Sequence, residues 1–151
     1  MLGERGLWAV LSITFAVLLS GCLAHMSATN AADKLNGDAQ REGSPYRWYV
    51  VDHGDKGVSL EPRLIGQVAQ SKVPDSAQQK ILTPIEELET KMGRTVKPQL
   101  KEIRILADGK SKVLEAWIFN SSGKEIAYTI EHAFGTGDQE FRIRGPWGKR
   151  F

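Results

Sequence analysis

The side chains able to do chemistry are few, and one type occurs only once: Cys22 is the single thiol of the chain. A thiol can serve as nucleophile, metal ligand, disulfide half or acyl carrier, and having no second cysteine removes an intrachain disulfide. The imidazoles are His25, His53 and His132. Asp52-His53-Gly54-Asp55 places two carboxylates and an imidazole in one short stretch, donors of the kind that hold a divalent cation. The spacing follows neither a calcium loop nor a paired-ligand zinc pattern, and Asp and Gly are also ordinary turn formers. His132 ends an apolar strand face carried by Ile126, Tyr128 and Ile130, where a place at the core margin is expected. Glu86 and Glu87 are consecutive on a helical segment, so their carboxylates diverge and do not form an acid–base pair. No serine sits on a nucleophile elbow, and no glycine-rich phosphate loop follows a strand. No catalytic residue, cofactor site or metal-ligand set is expected, and the chain reads as a non-enzyme.

One surface segment stands out. Near the C-terminus, Arg142, Arg144, Lys149 and Arg150 are interleaved with Trp147 and Phe151. Cations beside aromatic rings suit anionic headgroups, glycans or an acidic protein groove, so these six residues form a candidate interaction surface. A solvated strand face followed by a frayed tail, with Trp147 tucked onto the core, is the plainer expectation. A formal net charge of +2 over 151 residues is too small to suggest a nucleic-acid partner.

The elements around Cys22 say more about its role. Residues 7–19 (LWAVLSITFAVLL) are apolar apart from Ser12 and Thr14, and they follow a short segment containing Arg5. A bilayer-spanning helix needs about 20 apolar residues, so this run has the length of a signal-peptide core instead. It ends in Leu19-Ser20-Gly21-Cys22. That sequence resembles the lipobox of bacterial lipoproteins: an aliphatic residue, two small ones, then cysteine. The resemblance covers the first 22 residues. It implies cleavage before Cys22, a diacylglyceryl thioether on the Cys22 sulfur and acylation of the new N-terminus. One acyl chain binds a membrane only marginally, whereas several hold a protein essentially permanently. Within that family an Asp after the cysteine favours inner-membrane retention. Here the residue is Leu23, which implies the outer membrane where the cell has one.

Three parts are therefore expected: a lipoprotein signal peptide over 1–21, the lipidated cysteine with a flexible tether over 22–45, and a folded domain over 46–151. The tether expectation rests on composition, since Leu23, Met26 and Leu35 are its only large apolar residues. The domain spans about 100 residues, long enough to build a core without disulfides. It opens with Tyr46 to Asp52, read as a strand closed by the glycines of the His53 turn. The stretch from Val58 to Lys72 is ambiguous: Leu64, Ile65 and Val68 suit a helical face, and Gly66 weakens it. Asp75 to Gln78 and Thr83 to Glu86 resemble capping boxes, which predicts two helices or one kinked helix ending at Gly93. Ile81, Ile85, Leu88 and Met92 line one helical face. Leu100 to Leu106, Lys112 to Phe119, Glu125 to His132 and Gln139 to Arg144 read as strands joined by short turns, hence antiparallel neighbours. Both faces of the second of these are apolar, which places it centrally. The fold expected is α+β, with helices packed on a four- to five-stranded antiparallel meander sheet.

These observations favour a lipid-anchored cell-envelope protein whose domain binds an envelope protein partner, in the periplasm or at the cell surface. Two alternatives remain beside it: an inhibitor of a host hydrolase, disfavoured by the slightly basic charge, and a small metal-dependent hydrolase using the His53 turn.

Overall fold

A computed structural model describes residues 5–94, 96–135 and 140–148, with side chains from residue 21 onward. The architecture is α+β: two helices, a two-stranded ribbon and a five-stranded antiparallel sheet. Helix α1 spans Arg5–Glu42, strand β1 Tyr46–Asp52 and strand β2 Val58–Leu64. They are followed by β3 (Gln67–Val68), α2 (Asp75–Lys91), β4 (Gln99–Asp108), β5 (Lys112–Ser121), β6 (Lys124–Ala133) and β7 (Phe141–Gly148). The chain forms two compact units. One comprises α1 up to Asp38 with Trp48–Arg63, and the other Ala39–Arg47 with the chain from Leu64 on.

Residues 22–42, those up to Asp38 in the first unit, are helical instead of the flexible coil expected of a tether. The reason is side-chain size. Alanine is the best helix former, and Ala28, Ala32 and Asn36 recur on one side of α1, with Ala32 buried. The Asn36 carboxamide accepts from the Trp48 backbone N–H (2.6 Å) and donates to the Trp48 carbonyl (2.9 Å). It therefore behaves as one more residue of a ladder, and the helix docks without large apolar side chains. Among the described residues no helix is long and apolar enough to cross a membrane.

The second unit contains the meander, in the order β3-β4-β5-β6-β7 with every pair antiparallel. The first three of the four expected C-terminal strands lie within two residues of their expected bounds. The fourth runs Phe141–Gly148, so residues 145–148, expected as a frayed tail, continue the strand, and Gln139 lies outside the described residues. The fifth strand does not come from the Tyr46 run, which pairs with β2 in the separate ribbon. It is the two-residue β3, from the stretch that also suited a helix. Gly66 explains the difference, because its φ of +90° falls in the left-handed region and turns the chain away from helical geometry. A Cβ there would lie 2.7 Å from the Ile105 carbonyl oxygen, so the close approach of β3 to β4 needs glycine.

Helix α2 is one continuous helix through Pro84. Its start is stabilised by Gln78, whose amide donates to the Asp75 carboxylate and to the Val73 carbonyl. Its end is a Schellman motif: the Gly93 N–H bonds the Thr90 carbonyl and the Arg94 N–H bonds the Glu89 carbonyl, each at 3.0 Å. Gly93 sits in the required left-handed conformation at φ +78°.

Strand β5 is central, with a core on each face. On one, Val73, Ala77, Ile81 and Ile85 pack against Trp117, Phe119, Ile126, Tyr128 and Ile130. On the other, Tyr46, Ala116, Ile118 and Ala127 are joined by Leu64, Leu106 and Trp147. The cross-strand register agrees, since Trp117 opposes Tyr128 and Ile118 opposes Ala127.

Candidate functional site

Cys22, the expected lipid attachment point, lies on α1 and is exposed. Its neighbours Leu23 and Met26 are also exposed, at 64% and 63% of their full surface. At 3.6 residues per turn, Cys22, Met26 and Leu23 fall within about 100° of one another. Leu23 is turned away from the side occupied by Ala28, Ala32 and Asn36, Met26 lies about 80° from Asn36 and Cys22 about 40° from it. The thiol therefore leaves the helix together with two large apolar side chains.

The expected C-terminal surface is divided. Arg142 is exposed, and Arg144 is half-buried with a guanidinium N–H directed at the Glu42 carbonyl (3.5 Å). Trp147 is drawn into the second core beside Tyr46 and Ala127. Lys149, Arg150 and Phe151 lie outside the described residues. Of the six, Arg142 is the described residue that presents a charged group freely on this strand. Next to the end of β7, Met92, Arg94, Lys124, Glu125, Ile126, Pro146 and Gly148 line a cleft of about 480 Å³.

The His53 turn is a turn held by its own side chains. The Asp52 carboxylate accepts from the Gly54 N–H (2.8 Å), and His53 Nε2 lies 2.7 Å from the Ser59 hydroxyl. Among the described residues no three His, Cys, Asp or Glu side chains are grouped as a metal centre would need. His132 is buried, as a core-margin residue should be, with its ring edge-on to Phe134. Neither of its ring nitrogens has a hydrogen-bond partner.

Two carboxylates that sequence reasoning passed over prove to be fully buried. Glu89 reaches from α2 into the first core, where its oxygens accept from Arg94, from Tyr128 Oη and from Ser121 Oγ (2.8 Å). Burial pushes its carboxyl up, but the bonds from Arg94, Tyr128 and Ser121 together with the Arg94 charge outweigh it, leaving the group below the usual carboxylate range. Burial and the bond to Glu89 push the Tyr128 hydroxyl in the opposite sense, well above its ordinary value, so it stays a donor. Glu115 accepts from Ser71 Oγ (2.7 Å), the Lys72 N–H (2.6 Å) and Trp117 Nε1 (2.7 Å). Both signals were present in the sequence. Glu89 stands four residues after Ile85 on the apolar helical face, and Glu115 alternates with Val113, Trp117 and Phe119.

Chemically, Glu89 is a saturated acceptor with four bonds, and Glu115 accepts three. A carboxylate with its lone pairs occupied by fixed donors is a clamp, not a base available to a substrate proton. Glu89 ties the end of α2 and the turn after it to β5 and β6, and Glu115 ties the chain before α2 to β5. Compared with protein-family models, with curated proteins and with solved structures, this chain matches none of them.

Proposed function

We propose that this protein is a lipid-anchored component of a bacterial cell envelope, with acyl chains on Cys22 and a domain that binds a protein partner instead of turning over a substrate. The observation that carries the reading is Leu19-Ser20-Gly21-Cys22 at the end of an apolar run of signal-peptide length. Its cysteine is exposed on α1, which leaves the sulfur accessible for lipid attachment. The use of the two buried carboxylates as structural clamps favours a binding role for the domain. Membrane attachment through the lipid is the first partner, and an envelope protein is the second. Leu23 in place of Asp favours the outer membrane in a cell that has one.

The test is metabolic labelling with radioactive palmitate, followed by separation of membranes. The wild-type chain takes up label and sediments with the membrane fraction. Cys22→Ala does neither. Label retained by Cys22→Ala would show that the lipid is not on this sulfur and would refute the reading.

A further inference from the structure

We propose that residues 22–32 of α1 lie in the lipid interface, with the Leu23 and Met26 side chains inserted beside the acyl chains of Cys22. The inference rests on the lipid-anchor reading and goes beyond it, because an anchor alone would equally permit a stalk standing clear in water. Three observations select the membrane as the occupant of this face.

The first is order: α1 runs without a break through Cys22 to Glu42, so side chains near the anchor have fixed directions. The second is direction. Cys22, Met26 and Leu23 share about 100° of arc, and the two apolar side chains are left 63% and 64% exposed. In an aqueous stalk these would be the most exposed large apolar groups among the described residues of the helix. Burying apolar area beside a bound lipid is favourable by the same transfer energy that holds the acyl chains.

The third is charge. Residues 22–32 contain no Lys, Arg, Asp or Glu, whereas residues 33–42 contain Asp33, Lys34, Asp38, Arg41 and Glu42. Ionised groups are excluded from the hydrocarbon boundary and neutral small residues are not. The uncharged stretch covers about 16 Å of helix at 1.5 Å per residue. The charged half marks where the helix leaves the interface. The partner is thus a lipid leaflet, with the thioether, Leu23 and Met26 as three adjacent points of entry.

The lone cysteine makes the test clean, because lipidation leaves the full chain without a free thiol. Met26→Cys and Lys34→Cys each introduce one, to be labelled with a fluorophore in the lipidated protein. The labelled chains are placed in vesicles of phosphatidylethanolamine and phosphatidylglycerol, and palmitate incorporation is verified for each. At position 26 the fluorophore is expected to be quenched by nitroxide-bearing lipid and about fivefold less by aqueous iodide than at position 34. Equal iodide quenching at the two positions, with palmitate present, would overturn the proposal and leave the anchor intact. A wild-type chain without palmitate would overturn both.

Discussion

Replacing Glu89 by leucine should be the most damaging conservative-volume change in the second unit. The carboxylate is fully buried and accepts from Arg94, Ser121 and Tyr128. Leucine fills much of the same space but leaves one guanidinium and two hydroxyls facing an apolar group. Breaking a buried ion pair by removing one partner costs about 3–5 kcal/mol. Each buried hydroxyl left unpaired adds about 1–3 kcal/mol before relaxation. Arg94 retains some contact with water, its side chain being 23% exposed, so the lower part of that combined range applies. A net loss of about 5 kcal/mol is expected, a large share of the roughly 5–15 kcal/mol that holds a typical domain. With a urea slope near 1–3 kcal/mol per molar, the unfolding midpoint should fall by about 2 M.

Buried Trp117 supplies the fluorescence to follow it. Glu89→Gln keeps the shape and one acceptor and should lose about half as much. The pH dependence has a defined sign. The folded-state carboxyl of Glu89 lies below its ordinary value of 4.5, so its stabilisation is complete above that value and is lost as pH falls through the folded pKa. The gap between wild type and Glu89→Gln should therefore be constant near neutrality and close below about pH 4. A midpoint shift smaller than about 0.5 M for Glu89→Leu, or a gap independent of pH down to 2, would refute the description of Glu89 as an ionised clamp.

Two further outcomes follow from single side chains. Asn36→Ala removes both bonds to the Trp48 backbone and leaves that peptide half-buried without partners, so about 1–3 kcal/mol of local stability should vanish. The Trp48 amide should then exchange with deuterium faster, while amides of β5 and β6 keep their rates; unchanged exchange at Trp48 would show that the bridge contributes nothing. His132→Phe replaces two unpartnered ring nitrogens by apolar ring atoms beside Phe134. It should raise stability by about 1 kcal/mol in thermal unfolding, and a clear loss would mean that a ring nitrogen is satisfied in solution.

Much of the fold was legible because local patterning and tertiary burial agree over the C-terminal half. In β5 and β6 the burial runs nearly unbroken from residue to residue, as apolar side chains on both faces of the strand require when each face meets a core. Gly93 likewise acts where its sequence position suggests. What was left open and what was misread share a cause. Val58 to Lys72 contains residues compatible with either helix or strand, and the decision falls to Gly66, whose conformation depends on how closely β4 approaches. Residues 22–42 hold only three large apolar groups, Leu23, Met26 and Leu35, and composition alone equates that scarcity with disorder. The helix is instead held by alanine propensity and by an asparagine reading a backbone, an interaction that has no hydropathy signature.

The candidate sites divide along the same line. The Leu19-Ser20-Gly21-Cys22 run that carries the proposed anchor is a local feature, a short contiguous stretch, so the linear sequence alone suffices to propose it. The same holds for strand order in the meander, which short turns determine by geometry. What required the tertiary structure was every case where partners lie far apart in the chain. Glu89 meets Ser121 and Tyr128 only because α2 crosses β5 and β6, and Trp147, expected on the core in the plainer reading of the sequence, finds its particular neighbours there in Tyr46 and Ala127. The direction of Leu23 and Met26 belongs to the same group, since a side chain acquires a fixed direction only when docking has settled the backbone that carries it.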